Sequence, residues 1–201
     1  MKYLMAITIT VLLFLTSSCS PMFKVINDGN DYFRKGQYDR AVEEYNKAIA
    51  LDQSNVVAYF NRGLAYTEKG LYDKAIEDYS KAISIDTRYV KAYIFRGETY
   101  SKIGQFDRAI EDLSVGIALT PEKTTCACIY TNRGFAYYNK GQPDKAVEDF
   151  NKAISLNPKY TPAYISRGII FRQKGLIDKA MSDFQKACDM GDEKGCDNLK
   201  K

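Results

Sequence analysis

Few residues in this 201-residue chain can do chemistry, and histidine is not among them. Without imidazole there is no Ser-His-Asp or Cys-His nucleophile system and no His-ligated metal. Five cysteines remain, and an odd count leaves at least one with a fate other than an intramolecular disulfide. Cys126 and Cys128 form a C-x-C. Two thiolates without further ligands make a poor metal site. A local disulfide, two partly buried thiols and a redox role all stay open for them. The acid runs Glu77-Asp78, Glu111-Asp112 and Glu148-Asp149 set carboxylates side by side, but adjacent residues of a helix do not face each other, so they make no hydrolytic acid pair. Arg62, Arg96, Arg133 and Arg167 could form an anion-binding ladder. Each is matched further along by Asp78, Asp112, Asp149 or Asp183, so ion pairs with packed stems are expected, each worth little where exposed. The net charge of +4 comes from 29 basic and 25 acidic residues, interspersed along the chain. That mixture gives no nucleic-acid footprint.

These residues are carried by a repeating element. Gly36, Gly70, Gly104, Gly141 and Gly175 recur at steps of 34, 34, 37 and 34 residues. Ala41, Ala75, Ala109, Ala146 and Ala180 keep the same steps, as do Gly29, Gly63, Gly97, Gly134 and Gly168. In one unit Tyr59, Gly63 and Tyr66 share a helical face, and Lys69-Gly70 breaks that helix. Ala75, Tyr79 and Ala82 then share the face of a second helix, which Asp86 ends. Glycine inside a helix costs about 1 kcal/mol against Ala, so its recurrence at Gly63 implies a close approach of the two helices.

The order aromatic, Gly, Tyr, Ala, aromatic, Ala, Pro is seen at Tyr130, Gly134, Tyr137, Ala146, Phe150, Ala153 and Pro158. It resembles the tetratricopeptide repeat (TPR). The resemblance implies an all-α fold, an α-solenoid of five helix-turn-helix units at 22–55, 56–89, 90–123, 127–160 and 161–194. A short capping helix follows within 193–201. Arg62, Arg96, Arg133 and Arg167 depart from the usual Leu, and the first unit is the least regular, with Val25 and Asp28 at pattern positions. Three extra residues fall near Lys123–Cys126 and lengthen an inter-repeat turn.

The N-terminus differs from the rest. Lys2 is its only charge before Lys24, and an apolar run of about 13 residues follows, short of the roughly 20 that a spanning helix needs. Residues 1–18 therefore read as a secretory signal. Leu15-Thr16-Ser17-Ser18-Cys19 resembles a bacterial lipobox, which implies cleavage before a lipid-bearing Cys19, a short tether at 19–21 and an outer-membrane address. Without lipidation the same segment is an ordinary signal peptide. At the other end, Lys186-Ala187-Cys188 and Gly195-Cys196-Asp197 resemble a cysteine-rich Sel1-like repeat. That resemblance implies a Cys188–Cys196 disulfide stapling the terminal cap.

In TPR proteins the first helices line a groove for a peptide or partner helix. The positions this implies here include Asn30, Phe33, Phe60, Asn61, Lys91, Phe95, Asn132, Phe135, Tyr138 and Arg172. Chaperone adaptors of the family grip a C-terminal carboxylate with two Asn, two Lys and an Arg. Asn30, Asn61 and Lys91 agree with that set, but Ile26 and Phe95 replace two of its cations. The resulting expectation is a non-catalytic scaffold of the bacterial cell envelope, without cofactor or metal. It would be held to the membrane by lipid and bind other envelope proteins or peptides. The alternative is a cytosolic TPR adaptor with an uncleaved N-terminus. An enzyme is disfavoured, since no Ser-x-x-Lys occurs and no His is available.

Overall fold

The computed structural model describes residues 21–120 and 126–200. Cys19, the apolar leader and most of the insertion lie outside them. The described residues form eleven helices. They are α1 (Pro21–Arg34), α2 (Tyr38–Leu51), α3 (Val56–Glu68), α4 (Tyr72–Ile85), α5 (Val90–Lys102), α6 (Phe106–Leu119), α7 (Ala127–Asn139), α8 (Pro143–Leu156), α9 (Thr161–Gln173), α10 (Ile177–Asp189) and α11 (Glu193–Leu199). The chain divides into two compact units between Thr87 and Arg88. One holds the hairpins α1–α2 and α3–α4. The other holds α5–α6, α7–α8 and α9–α10, with α11 packed on α10.

Each hairpin turns the same way because each first helix stops the same way. At the end of α3, Gly70 adopts φ +72° and its N–H donates to the Thr67 carbonyl, while the Leu71 N–H donates to the Tyr66 carbonyl at 2.9 Å. This is a Schellman stop, whose left-handed residue favours glycine. The other four hairpins repeat the bonding, and Gly191 repeats it between α10 and α11. Mid-helix glycine meets a different demand. A Cβ on Gly63 would lie 2.7 Å from Tyr79 Cε1, and one on Gly134 would lie 2.7 Å from Phe150 Cε1. In four hairpins a ring of the second helix rests on the bare backbone of the first, and in the α5–α6 hairpin Leu113 takes the place of the ring over Gly97. Ala41, Tyr45 and Ala48 of α2, and Ala146, Phe150 and Ala153 of α8, are at most 1% exposed.

Within each unit successive hairpins stack through the same faces, as in an α-solenoid. Val42 of α2 packs against a cluster that includes Ala65 of α3, and Val147 of α8 against one that includes Ala163 and Ile170 of α9. The faces of α1 and α10, in the first and last hairpins of the chain, differ. Ala58, Ala92, Ile129 and Ala163 are buried at equivalent positions of the first helices, where α1 has exposed Lys24. Likewise Ala65, Thr99, Ala136 and Ile170 are buried where α1 has exposed Asp31, paired with Arg34. On α10, by contrast, Ile177 and Met181 remain 52% and 40% exposed, with Leu176 beside them.

Candidate functional site

The arginine ladder is built into the hairpins. Arg133 of α7 donates from Nε and Nη2 to the two carboxylate oxygens of Asp149 on α8, at 2.8 and 2.7 Å. Arg62–Asp78, Arg96–Asp112 and Arg167–Asp183 form the same fork. Each guanidinium lies between two aromatic rings one helical turn to either side. For Arg133 these are Tyr130 and Tyr137, at 5.6 and 5.8 Å. The third nitrogen reaches back to the preceding second helix. Arg62 donates to Asn46, Arg133 to Ser114 and Arg167 to Asn151. These arginines therefore tie a hairpin both to itself and to its predecessor. The carboxylates are 3–5% exposed, so the pairs lie deeper than their sequence alone suggested and are not weak surface bridges.

An apolar cleft opens between α7 and α9. Phe135, Tyr138 and Asn139 form one wall and Ser166, Ile169 and Ile170 the other, with Phe150 of α8 as the floor. Its volume is about 250 Å³, room for one or two side chains of a partner. Phe135 is 42% exposed and meets the fully buried Phe150 edge-on, with ring centroids 5.6 Å apart. Gln173 donates to the Tyr138 hydroxyl at 2.6 Å and bridges α9 and α7. The cleft thus offers an accessible ring on a buried support, flanked by hydroxyl and amide groups.

The residues expected to line a groove meet different fates. Tyr45 donates to Asn30 Oδ1 at 2.8 Å and Asn61 donates to the same oxygen at 2.9 Å, which joins α1, α2 and α3. Burial pushes the Tyr45 hydroxyl up to about 12. Phe33 is half-buried against Tyr38. Phe60 is 5% exposed and packs on Tyr79, so it belongs to the core and not to a binding surface. In the second unit Lys91 is exposed and Phe95 half-buried. Asn132 donates to Glu98 across α7 and α5, and burial raises the Glu98 carboxyl above its ordinary range. Arg172 of α9 reaches the capping helix. It donates to Asn198 Oδ1 at 2.8 Å and covers the Phe184 ring, so it anchors α11 instead of awaiting a ligand. Ile170 and Phe150, the latter the aromatic of the repeat pattern, complete the cleft.

The described cysteines are joined in two pairs, Cys126–Cys128 and Cys188–Cys196, with Cα separations of 5.2 and 4.6 Å. Among the described residues no group of three or more His, Cys, Asp or Glu is placed to hold a metal ion, and no helix is long and apolar enough to cross a membrane.

Stacked hairpins with glycine under each ring define a class, and the chain belongs to the tetratricopeptide repeat family. It matches the TPR repeat over residues 29–70 and the tetratricopeptide repeat over 56–89, 90–122, 127–160 and 161–190. Among solved structures it is similar to MamA, at 34% identity and a TM-score of 0.74, over 83% of this chain and 95% of that one. MamA from Desulfovibrio magneticus RS-1, residues 41 to the end, superposes with a TM-score of 0.78 at 21% identity, over 86% of this chain and 96% of that one. YrrB, described as a TPR protein with an unusual peptide-binding site, gives 0.70 at 24% identity, over 88% and 91%. Among curated proteins, Stress-induced-phosphoprotein 1 of Caenorhabditis elegans is 47% identical over 36 residues. That match spans 18% of this chain and 11% of the relative's length.

Proposed function

We propose that this interaction scaffold works in the bacterial cell envelope, anchored by lipid on Cys19 and presenting its first-helix face to partner peptides or helices. The cleft between α7 and α9 is the anchor point of that face. The carrying observation is Phe135, an exposed ring on a buried support beside hydrogen-bonding groups. An apolar partner side chain fills the cleft, while Tyr138 and Asn139 meet polar groups beside it. YrrB, a structural neighbour with a peptide-binding site, supports the mode. The anchoring rests on the lipobox-like segment at residues 15–19. Helix α1 begins at Pro21, so a lipid on Cys19 would hold the array close to the outer-membrane surface facing the periplasm.

Two measurements separate the parts of this proposal. Peptides selected from a random library on the folded chain should lose about tenfold or more affinity on Phe135→Asp and keep it on Lys91→Ala. Equal affinity for Phe135→Asp would remove the cleft from the reading. Intact mass of the native protein should begin at Cys19 with acyl groups. A mass beginning at Met1 without lipid would move the same groove to a cytosolic adaptor.

A further inference from the structure

Two disulfides of opposite character occupy this chain. Cys188 lies in the last turn of α10, beside Asp189, Asp192, Glu193 and Asp197. A thiolate there would face the negative end of a helix, with Lys186 in the same turn. The α11 backbone also closes over the pair, because a Cβ on Gly195 would lie 2.7 Å from Ala187 Cβ and from the Cys188 nitrogen. Cys126 and Cys128 have the reverse setting. Cys126 is the N-cap of α7 and its sulfur accepts the Cys128 N–H at 3.1 Å. Cys128 sits in the first turn of α7, which contains no acidic residue. Both sulfurs thus lie at the positive end of a helix, where thiolate is favoured. Cys126 is exposed, and the bond closes over Ala127 alone, so its loop-closure advantage is the smaller of the two.

We propose that Cys126 and Cys128 form a dithiol–disulfide exchange site, exchanging two electrons with a cysteine dithiol, while Cys188–Cys196 is purely structural. One donor thiolate attacks the exposed Cys126 sulfur, the S–S bond breaks, and Cys128 leaves as thiolate. The second donor thiolate then attacks the donor sulfur of the mixed disulfide and Cys126 leaves. The donor departs as a disulfide, and its two protons pass to the two chain thiolates. The site lies on α7, whose other end carries Phe135 and Tyr138, but it stands independently of what the cleft binds.

The test is a graded reduction of the oxidised full chain. Monothiol (glutathione) and dithiol (dithiothreitol) series are each quenched by alkylation and read by peptide mass. Cys126 and Cys128 should become alkylated together, at about tenfold lower reductant than Cys188 and Cys196 or less. In Cys128→Ser offered glutathione disulfide, the Cys126 thiolate should attack it, keep one glutathione as a mixed disulfide and release the other as thiolate. In Cys126→Ser under the same glutathione disulfide, the half-buried Cys128 should carry several-fold less adduct. Helical circular dichroism should be unchanged in both variants, because the bond joins residues of a single turn. Simultaneous opening of both pairs, earlier opening of Cys188–Cys196, or preferential trapping at Cys128 would overturn the proposal.

Discussion

Arg133 spends its whole guanidinium inside the protein. Two nitrogens go to Asp149, one to Ser114, and both faces go to tyrosine. Removing it leaves Asp149, 5% exposed, as an uncompensated buried charge. Arg133→Ala should therefore cost about 3 kcal/mol in urea denaturation, and Arg133→Leu with Asp149→Leu should recover most of that loss. A double variant that stays as unstable as Arg133→Ala would show that the fork itself is strongly stabilising. Glu98 gives a pH signature. Burial holds its carboxyl above the ordinary range, so the native state keeps a proton that the unfolded chain has already lost. Stability falls as pH rises through that window. Glu98→Gln keeps an acceptor for Asn132, so it should melt higher than the parent at pH 7. The two curves should converge below the unfolded carboxylate range. The sequence disclosed the Arg and Asp partners, because opposite charges recur in step. It did not disclose their depth. Nor did it separate Phe60 from Phe135. Both sit near the boundary of one helical stripe, and the bulk of a neighbouring helix decides which of them is covered.

At the level of the helix, glycine and alanine spacing announced nearly everything. A ring can rest on a helix only where side chains are absent, so Gly134 and Phe150 specify their hairpin together. The capping helix was harder to read. Seven residues of α11 bury little surface of their own, and the sequence offered no sign that Arg172 and Thr161 would be drawn to Asn198 and Asp192. Replacing Cys188 and Cys196 by Ser should release α11 at a cost of roughly 2–3 kcal/mol. Because stability in stacked repeats is mostly local, hydrogen exchange should quicken in α11 and the end of α10 but not in α6 or α7. Faster exchange throughout the second unit would mean that the staple supports more than the cap.

Across the chain the same hairpin is used five times, and its first and last copies carry different faces. Lys24 and Asp31 make the α1 face wettable, whereas Ile177 and Met181 leave the α10 face apolar. Ile177→Lys with Met181→Glu should leave the melting temperature within a few degrees and lower light scattering at high concentration, as removal of an exposed apolar patch predicts. Unchanged scattering would mean that the patch is harmless. The difference between the faces also bears on biogenesis. A chain delivered N-terminus first, from a ribosome or through a translocation pore, shows its charged face to the surroundings from the outset. The apolar flank of α2 then waits only for α3, that of α6 for α7, and that of α8 for α9. At each of these stages the uncovered apolar flank is the one next to the helix still being delivered.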